Sequence, residues 1–254
     1  MAKKIEARGA LDIAKRALQT CGQIFRYAIA LGYVQHNPAA AIRPSDVLKS
    51  RRKENYPRVE PKELPELLRK MAVYDGSPLT RAALQLIALT FVRTSELIHA
   101  PWDEFDLEAA EWRIPAERMK MRSPHIVPLS RQAVDALRCL NALRSLSPYV
   151  FPGERDHERP MSNNTILKAL ERLGYKHRMT GHGFRGSVYA PSRDELSHPH
   201  IELQLAHQER NAVAASYNHA THLPERRLMI GVRVDPAILI SLCVAAQTGP
   251  WWRR

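Results

Sequence analysis

The chain has 254 residues, of which 44% are hydrophobic and 25% are charged, so it can bury a substantial core in one large domain or two unequal ones. Its 38 lysines and arginines outnumber 26 aspartates and glutamates, and the resulting net charge of +12 indicates a polyanionic partner, with nucleic acid as the default. From composition alone, a basic enzyme without such a partner stays open as an alternative.

Cysteine usage and hydropathy bear on the compartment. Cys21, Cys139 and Cys243 are odd in number, widely separated and without a C-x-x-C pair, which favours a reducing compartment over a disulfide framework or a zinc site. The first residues lack the apolar run of a secretory signal, and the longest apolar run, residues 237–246, is too short to span a bilayer. We expect a cytoplasmic protein with no membrane association.

The first predicted element is a helical unit between about Ile5 and Tyr33, where apolar residues recur at three-to-four spacing. Gly32 is placed as its C-terminal cap, and Asn37-Pro38 breaks the pattern soon afterwards. The prolines and the basic run of residues 49–53 predict a linker from Arg43 to Glu63. This linker is interpreted either as a strap that neutralises DNA phosphates or as an ordinary tether.

From Pro61 onward the sequence predicts a mainly helical unit with a small antiparallel β-sheet, so the fold class is α+β. The predicted helices span residues 63–71, 81–91, 131–143, 163–173, 201–206 and 212–220, and Ser130 and Ser162 are the caps that precede the third and fourth of them. The predicted strands are residues 105–107, 111–114 and 125–129, with a basic turn at 118–124. Pro191 interrupts helical character after Arg185, and residues beyond Arg227 fit no clear element.

Chemistry-bearing side chains are concentrated between Thr180 and Tyr217. His182 and Arg185 are three residues apart and can project from one helical turn, and His207 and Tyr217 follow. Such side chains can hold a phosphate, move protons and attack it without a metal. No cofactor or metal site is predicted: the sequence has no phosphate-binding glycine loop, no complete ligand set around Ser197 to His200, and no G-x-S-x-G hydrolase motif.

Two upstream residues extend this set. Arg93 lies in an R-x-x-E motif at the end of a predicted buried helix, and Lys120 lies in the basic hairpin. Each residue also has a structural interpretation when taken singly. Arg93 can pair with Glu96, Lys120 can be an exposed hairpin lysine, and the two histidines and the tyrosine can be ordinary packing residues.

The order of these six residues resembles the tyrosine recombinase family, and in particular P4-type integrases of bacteriophages and genomic islands. The phrases that carry the resemblance, within about residues 5–228, are TFVR (90–93), WRIPAERMKM (112–121), HIVPLS (125–130), RPMSNNT (159–165), MTGHGFR (179–185), QLAH (204–207) and LPERR (223–227).

The resemblance implies a site-specific recombinase that cuts and rejoins double-stranded DNA at attachment sites, for prophage or genomic-island integration and excision. Tyr217 would attack the scissile phosphate and form a 3′-phosphotyrosyl link. Arg93 and Arg185 would hold its non-bridging oxygens, and Lys120 would protonate the leaving 5′-oxygen. His182 would assist the phenol's proton transfer, and His207 would bond a phosphate oxygen.

The resemblance also implies four regions. They are a partial helical core-type DNA-binding domain (1–43), a basic linker (44–60), a tyrosine recombinase catalytic domain (61–228) and a divergent C-terminal tail (229–254). P4-type relatives begin with an arm-type domain, so an N-terminally truncated chain is expected. The implied assembly is a homo-tetramer on DNA, aided by accessory DNA-bending proteins. A catalytically impaired remnant that only binds DNA, and a type IB topoisomerase-like enzyme, stay open as alternatives.

Overall fold

The computed structural model describes residues 1–50, 56–144, 146–187, 198–206 and 222–231, with the backbone alone at 198–199 and 228–231. The chain divides into two compact units, Met1–Asn55 and Tyr56–Arg254. The described residues are mainly helical and contain one three-stranded antiparallel sheet, which confirms the predicted α+β class.

The first unit contains helices α1 (Ala2–Ala7), α2 (Leu11–Ala30) and α3 (Pro44–Val47). Gly32 has a φ of 75° and follows α2, and the Tyr33 N–H donates to the Ala28 carbonyl at 2.9 Å, so the predicted glycine cap is confirmed. Helix α3 lies inside the predicted linker and was missed, although Pro44 stands at its start, where a fixed φ favours a helix.

The second unit is built around a buried helix. Its first helices are α4 (Leu64–Ala72), α5 (Pro78–Thr90), α6 (Thr94–Ile98), α7 (Arg131–Ala142) and α8 (Asn163–Leu170). Every residue of α5 from Ala82 to Thr90 is buried, and α4, α7 and α8 pack around it. The Ser130 hydroxyl accepts the Ala133 N–H at 3.2 Å, which confirms the predicted cap of α7.

The sheet consists of β1 (Phe105–Asp106), β2 (Glu111–Ile114) and β3 (His125–Pro128), in the order β1-β2-β3. Trp112 lies opposite Phe105 on one side and Val127 on the other, and its side chain is completely buried. The predicted strands are confirmed, and the basic turn leads from β2 to β3.

Two short 3-10 helices, Trp102–Glu104 and Ala116–Arg118, flank the first two strands. The remaining described elements are a π-helical turn (Glu171–Tyr175) and helices α9 (Gly181–Ser187), α10 (His198–Gln204) and α11 (Leu223–Gly231). The helix predicted to end at Leu173 instead leaves regular geometry after Leu170, and Gly174 takes a φ of 90°. Helix α11 continues past Arg227, where the sequence indicated no clear element. The helix predicted at 212–220 lies outside the described residues.

Two further observations concern the cysteines and the hydropathy of the helices. Cys21 is a free thiol but Cys139 on α7 is disulfide-bonded, so the expectation of a chain without disulfides is wrong at Cys139. The spacing of cysteines along the chain does not determine which of them folding brings close enough to bond. Among the helices that the structure describes, none has the length and hydropathy needed to cross a bilayer.

Candidate active site

Arg93 stands at the junction of two helices. Phe91, with a φ of 56°, is the C-cap of α5 and turns the chain, and Arg93 is the N-cap of α6. The Glu96 carboxylate accepts the Arg93 backbone N–H at 2.7 Å and its guanidinium Nη1 at 2.5 Å. The pairing that the sequence offered as a structural interpretation is therefore present. The Arg93 side chain nevertheless stays partly accessible to solvent, since 22% of it is exposed.

The Lys120 hairpin is tied to the same junction through Arg118. The Arg118 guanidinium donates to the Glu96 carbonyl oxygen at 2.6 Å and pairs with the Glu104 carboxylate at 3.2 Å. Lys120 follows two residues later with an exposed side chain. The backbone that carries Lys120 is thus anchored beside the Arg93 turn.

The Glu104 carboxylate supports this anchor from the buried side. It accepts a 2.8 Å hydrogen bond from the Trp112 indole N–H. Burial raises the pKa of Glu104 above its ordinary value, against the opposing effects of this hydrogen bond and the Arg118 charge.

Helix α9 packs directly on the first turn of α6. A Cβ atom on Gly181 would lie 2.2 Å from the Thr94 Oγ1, so only a glycine fits against Thr94 here. The Thr180 hydroxyl accepts the Gly183 N–H at 3.1 Å and caps α9. His182 is the next residue of α9. The start of α9 is therefore held against Thr94, the residue that follows Arg93.

His182 and Arg185 share α9 but differ in burial. The His182 side chain is exposed, and its ring packs against the Tyr56 ring with centroids 4.4 Å apart. Arg185 is only 4% exposed. Its Nη1 donates to the Phe91 carbonyl at 2.8 Å, and its Nη2 donates to the Leu205 carbonyl. Arg185 therefore joins the end of α5 to the end of α10.

Tyr56 begins a short segment that lies along α9 and that the sequence did not assign to the site. The Pro57 carbonyl lies 2.6 Å from the position of a Cβ on Gly183, and the Arg58 Nη1 donates to the Gly186 carbonyl at 2.7 Å. In the sequence these residues lie within the basic, proline-rich predicted linker, and that composition does not indicate a contact with α9.

Gln204 and Arg226 form a second missed feature. The Gln204 side-chain amide donates to the Thr90 carbonyl at 2.9 Å, and its Oε1 accepts from the Arg226 Nε and Nη2 at 3.0 and 2.8 Å. The Arg226 Nη2 also donates to the Ile126 carbonyl at 2.7 Å. Burial lowers the pKa of Arg226 to about 10. Both residues stood in the phrases that carry the family resemblance, but without a role.

The structure therefore brings Arg93, His182 and Arg185 together at the contact of α5, α6 and α9, and it ties the Lys120 hairpin to the same contact. His207 and Tyr217 lie outside the described residues. These side chains can bind a phosphate group. The two guanidiniums supply planar hydrogen-bond donors and fixed positive charge, while the imidazole and the ammonium can move protons.

Comparison with known proteins gives consistent matches to integrases. The sequence matches the phage integrase family over residues 57–223 and the phage integrase central domain over residues 1–45. The integrase of Enterobacteria phage P4 is 41% identical over 245 residues, covering 90% of this chain and 55% of the phage protein. Putative protein IntB of Escherichia coli K12 is 39% identical over 245 residues, covering 90% of this chain and 61% of its own length. The chain thus spans little more than half of these relatives.

Solved structures show the same fold. A lambda integrase dimer bound to a COC′ core site has a TM-score of 0.62 and 19% identity, covering 92% of this chain and 64% of that one. A lambda integrase tetramer bound to a Holliday junction has a TM-score of 0.62 and 20% identity, covering 83% of this chain and 63% of that one.

Proposed function

Because this chain belongs to the phage integrase family, we propose that it is a tyrosine-type site-specific recombinase that breaks and rejoins DNA at attachment sites during prophage or genomic-island integration and excision. The observation that carries the proposal is the Arg185–Phe91 hydrogen bond. It fixes the second arginine of the set two residues from Arg93, on the helix that also carries His182.

In the proposed reaction the Tyr217 oxygen forms a bond to the scissile phosphorus, and the bond from phosphorus to the 5′-oxygen breaks. A phenol has a pKa near 10, so its proton must be taken up during attack, and His182 would assist that transfer. Lys120 would supply a proton to the leaving 5′-oxygen. The products are a 3′-phosphotyrosyl link and a free 5′-hydroxyl, and attack by a partner strand's 5′-hydroxyl reverses the step.

Arg93 and Arg185 would stabilise the negative charge that builds on the non-bridging oxygens. Fixed positive charge in a partly buried site is worth more than in water and needs no reorganisation during the reaction. The Glu96 carboxylate orients the Arg93 guanidinium in advance, and the Phe91 and Leu205 carbonyls do the same for Arg185. His207 would bond a further phosphate oxygen.

The proposed partner is double-stranded DNA, in keeping with the net charge of +12. Dimeric and tetrameric DNA complexes are known for the lambda integrases that share this fold. We propose a homo-tetramer on two duplexes for the present protein, with DNA-bending proteins as accessory partners.

A covalent-adduct assay tests the proposal. Selection of bound duplexes from a randomised pool first supplies a binding site, and a nicked suicide duplex of that site then traps the cleaved strand. The control is Tyr189→Phe, which removes the other tyrosine near Arg185, a weaker candidate for the nucleophile because it falls too early in the order of motifs. The expected result is a protein–DNA adduct that is lost in Tyr217→Phe but kept in Tyr189→Phe, with DNA binding retained in both. Binding without any adduct would support the remnant that only binds DNA, and relaxation of supercoiled DNA lacking the site would support the topoisomerase.

A further inference from the structure

A buried polar network lies beside the proposed site and consists of Gln204 on α10 and Arg226 on α11. Gln204 is completely buried and Arg226 is 1% exposed. Their side chains bond each other twice, and each also bonds a backbone carbonyl, Gln204 at Thr90 and Arg226 at Ile126. Neither side chain can touch DNA without unfolding of the surrounding helices.

Burial of this network has an unfavourable desolvation free energy. Among the described residues, the hydrogen-bond acceptors of Arg226 are amide oxygens, and no carboxylate pairs with it. Removing a guanidinium from water without an opposite charge is unfavourable, and apolar residues of similar volume often replace buried ionic groups without loss of stability. Stability alone therefore gives a poor account of these two side chains.

The positions that the network joins are informative. Thr90 precedes Arg93 by three residues at the end of α5, and Ile126 lies on β3, the strand that follows the Lys120 hairpin. Gln204 precedes His207 by three residues, and Arg226 follows Tyr217 by nine. The network thus connects the chain segments that flank four proposed site residues: Arg93, Lys120, His207 and Tyr217.

Arg185 repeats the connection one residue further along. The Thr90 carbonyl accepts from Gln204, and the next carbonyl, that of Phe91, accepts from Arg185. Arg185 also binds the carbonyl of Leu205, the residue after Gln204. Two adjacent residues at the end of α10, Gln204 and Leu205, are therefore held in a fixed register with two adjacent residues at the end of α5.

From this placement we infer that Gln204 and Arg226 are positioning residues, which hold α5, β3, α10 and α11 in the register that the phosphoryl-transfer site requires. They act through the elements that they join and make no contact with substrate. The inference rests on the proposed function, because it names what the register serves.

Its first test separates DNA affinity from the rate of strand cleavage. Gln204→Leu, Arg226→Met and Arg226→Lys are compared with Arg227→Met, which alters the neighbouring, exposed arginine that pairs with Glu111. Single-turnover cleavage of the suicide duplex is measured well below the melting temperature of each folded variant. We expect cleavage to slow at least about tenfold at Gln204 and Arg226, with DNA affinity within about twofold, because small displacements of reacting groups are costly. Arg227→Met should cleave at the wild-type rate.

Hydrogen exchange of the free protein supplies a test that needs no activity. In Gln204→Leu and Arg226→Lys, amides of residues 90–97 and 125–128 should exchange faster, while those of α7 keep wild-type protection. Unchanged exchange in both regions, or unchanged cleavage in folded variants, would overturn the inference. If the wild-type protein formed no adduct but the two variants showed the faster local exchange, the proposed function alone would be refuted.

Discussion

The guanidinium of Arg185 donates a 2.8 Å hydrogen bond to the carbonyl oxygen of Phe91, two residues ahead of Arg93. Phe91 has a left-handed backbone conformation that ends α5 and turns the chain toward Arg93. A buried arginine on α9 thereby fixes the turn that presents a second, partly exposed arginine. The positions of Arg93 and Arg185, the two proposed phosphate ligands, therefore depend on each other through this one hydrogen bond.

Arg185→Lys should lose this feature while keeping the charge. A lysine ammonium is a point charge on a flexible stem and cannot reproduce the planar fork that reaches both the Phe91 and Leu205 carbonyls. We expect the free energy of unfolding to fall by about 2–4 kcal/mol, because buried acceptors lose their donors. Urea denaturation measures the change. The control Arg138→Lys, on the exposed face of α7, should lie within about 0.5 kcal/mol of wild type. Equal stabilities for Arg185→Lys and wild type would show that the two carbonyl contacts are unimportant.

The contact of α9 with α6 leads to a paired substitution. Gly181→Ala places a Cβ atom 2.2 Å from the Thr94 Oγ1, so α9 must shift and carry His182 with it. We expect strand cleavage to slow at least about tenfold. Gly181→Ala combined with Thr94→Ala removes the clashing hydroxyl and should recover most of the rate.

The matched control is Gly22→Ala on α2, where the nearest atom lies 3.4 Å from the new Cβ. Alanine is the better helix former, so this variant should be slightly more stable than wild type and equally active. Failure of Thr94→Ala to rescue Gly181→Ala would mean that the effect of Gly181 does not arise from contact with Thr94.

Glu104 gives a prediction about pH. Burial raises its pKa in the folded state above the ordinary value of 4.5, so the folded protein binds this proton more readily than the unfolded chain. Relative to Glu104→Gln, which does not titrate, wild type should gain stability as the pH falls from 7 through the folded-state pKa to 4.5. The measurement is the free energy of unfolding of both proteins across that range. A relative loss of stability on acidification would mean that Arg118 and Trp112 outweigh burial.

Much of the fold was predictable because local patterns determine it. The spacing of apolar residues around α5, the short apolar segments of β2 and β3, and the serine caps at Ser130 and Ser162 all act over a few residues. Helix α3 was missed because a linker composition and a one-turn helix that starts at a proline look alike in sequence.

Less of the site was predictable, since its contacts are long-range. The order of motifs predicted Arg93, Lys120, His182 and Arg185 as site residues. The i, i+3 spacing of His182 and Arg185 did not indicate that the first is exposed and the second buried. The Gln204–Arg226 pair and the Tyr56–His182 contact join residues 22 and 126 positions apart. No local pattern records such pairs.

The most direct test of the central claim is to identify the residue that carries the DNA. Adduct formed on the suicide duplex is digested with protease and nuclease, and the modified peptide is sequenced by mass spectrometry. The account predicts a nucleotide joined through its 3′-phosphate to Tyr217, and loss of that peptide's modification when Arg93 or Arg185 is changed to alanine. A 3′-phosphate joined to Tyr56 or Tyr189, or a linkage through the 5′-phosphate, would contradict it.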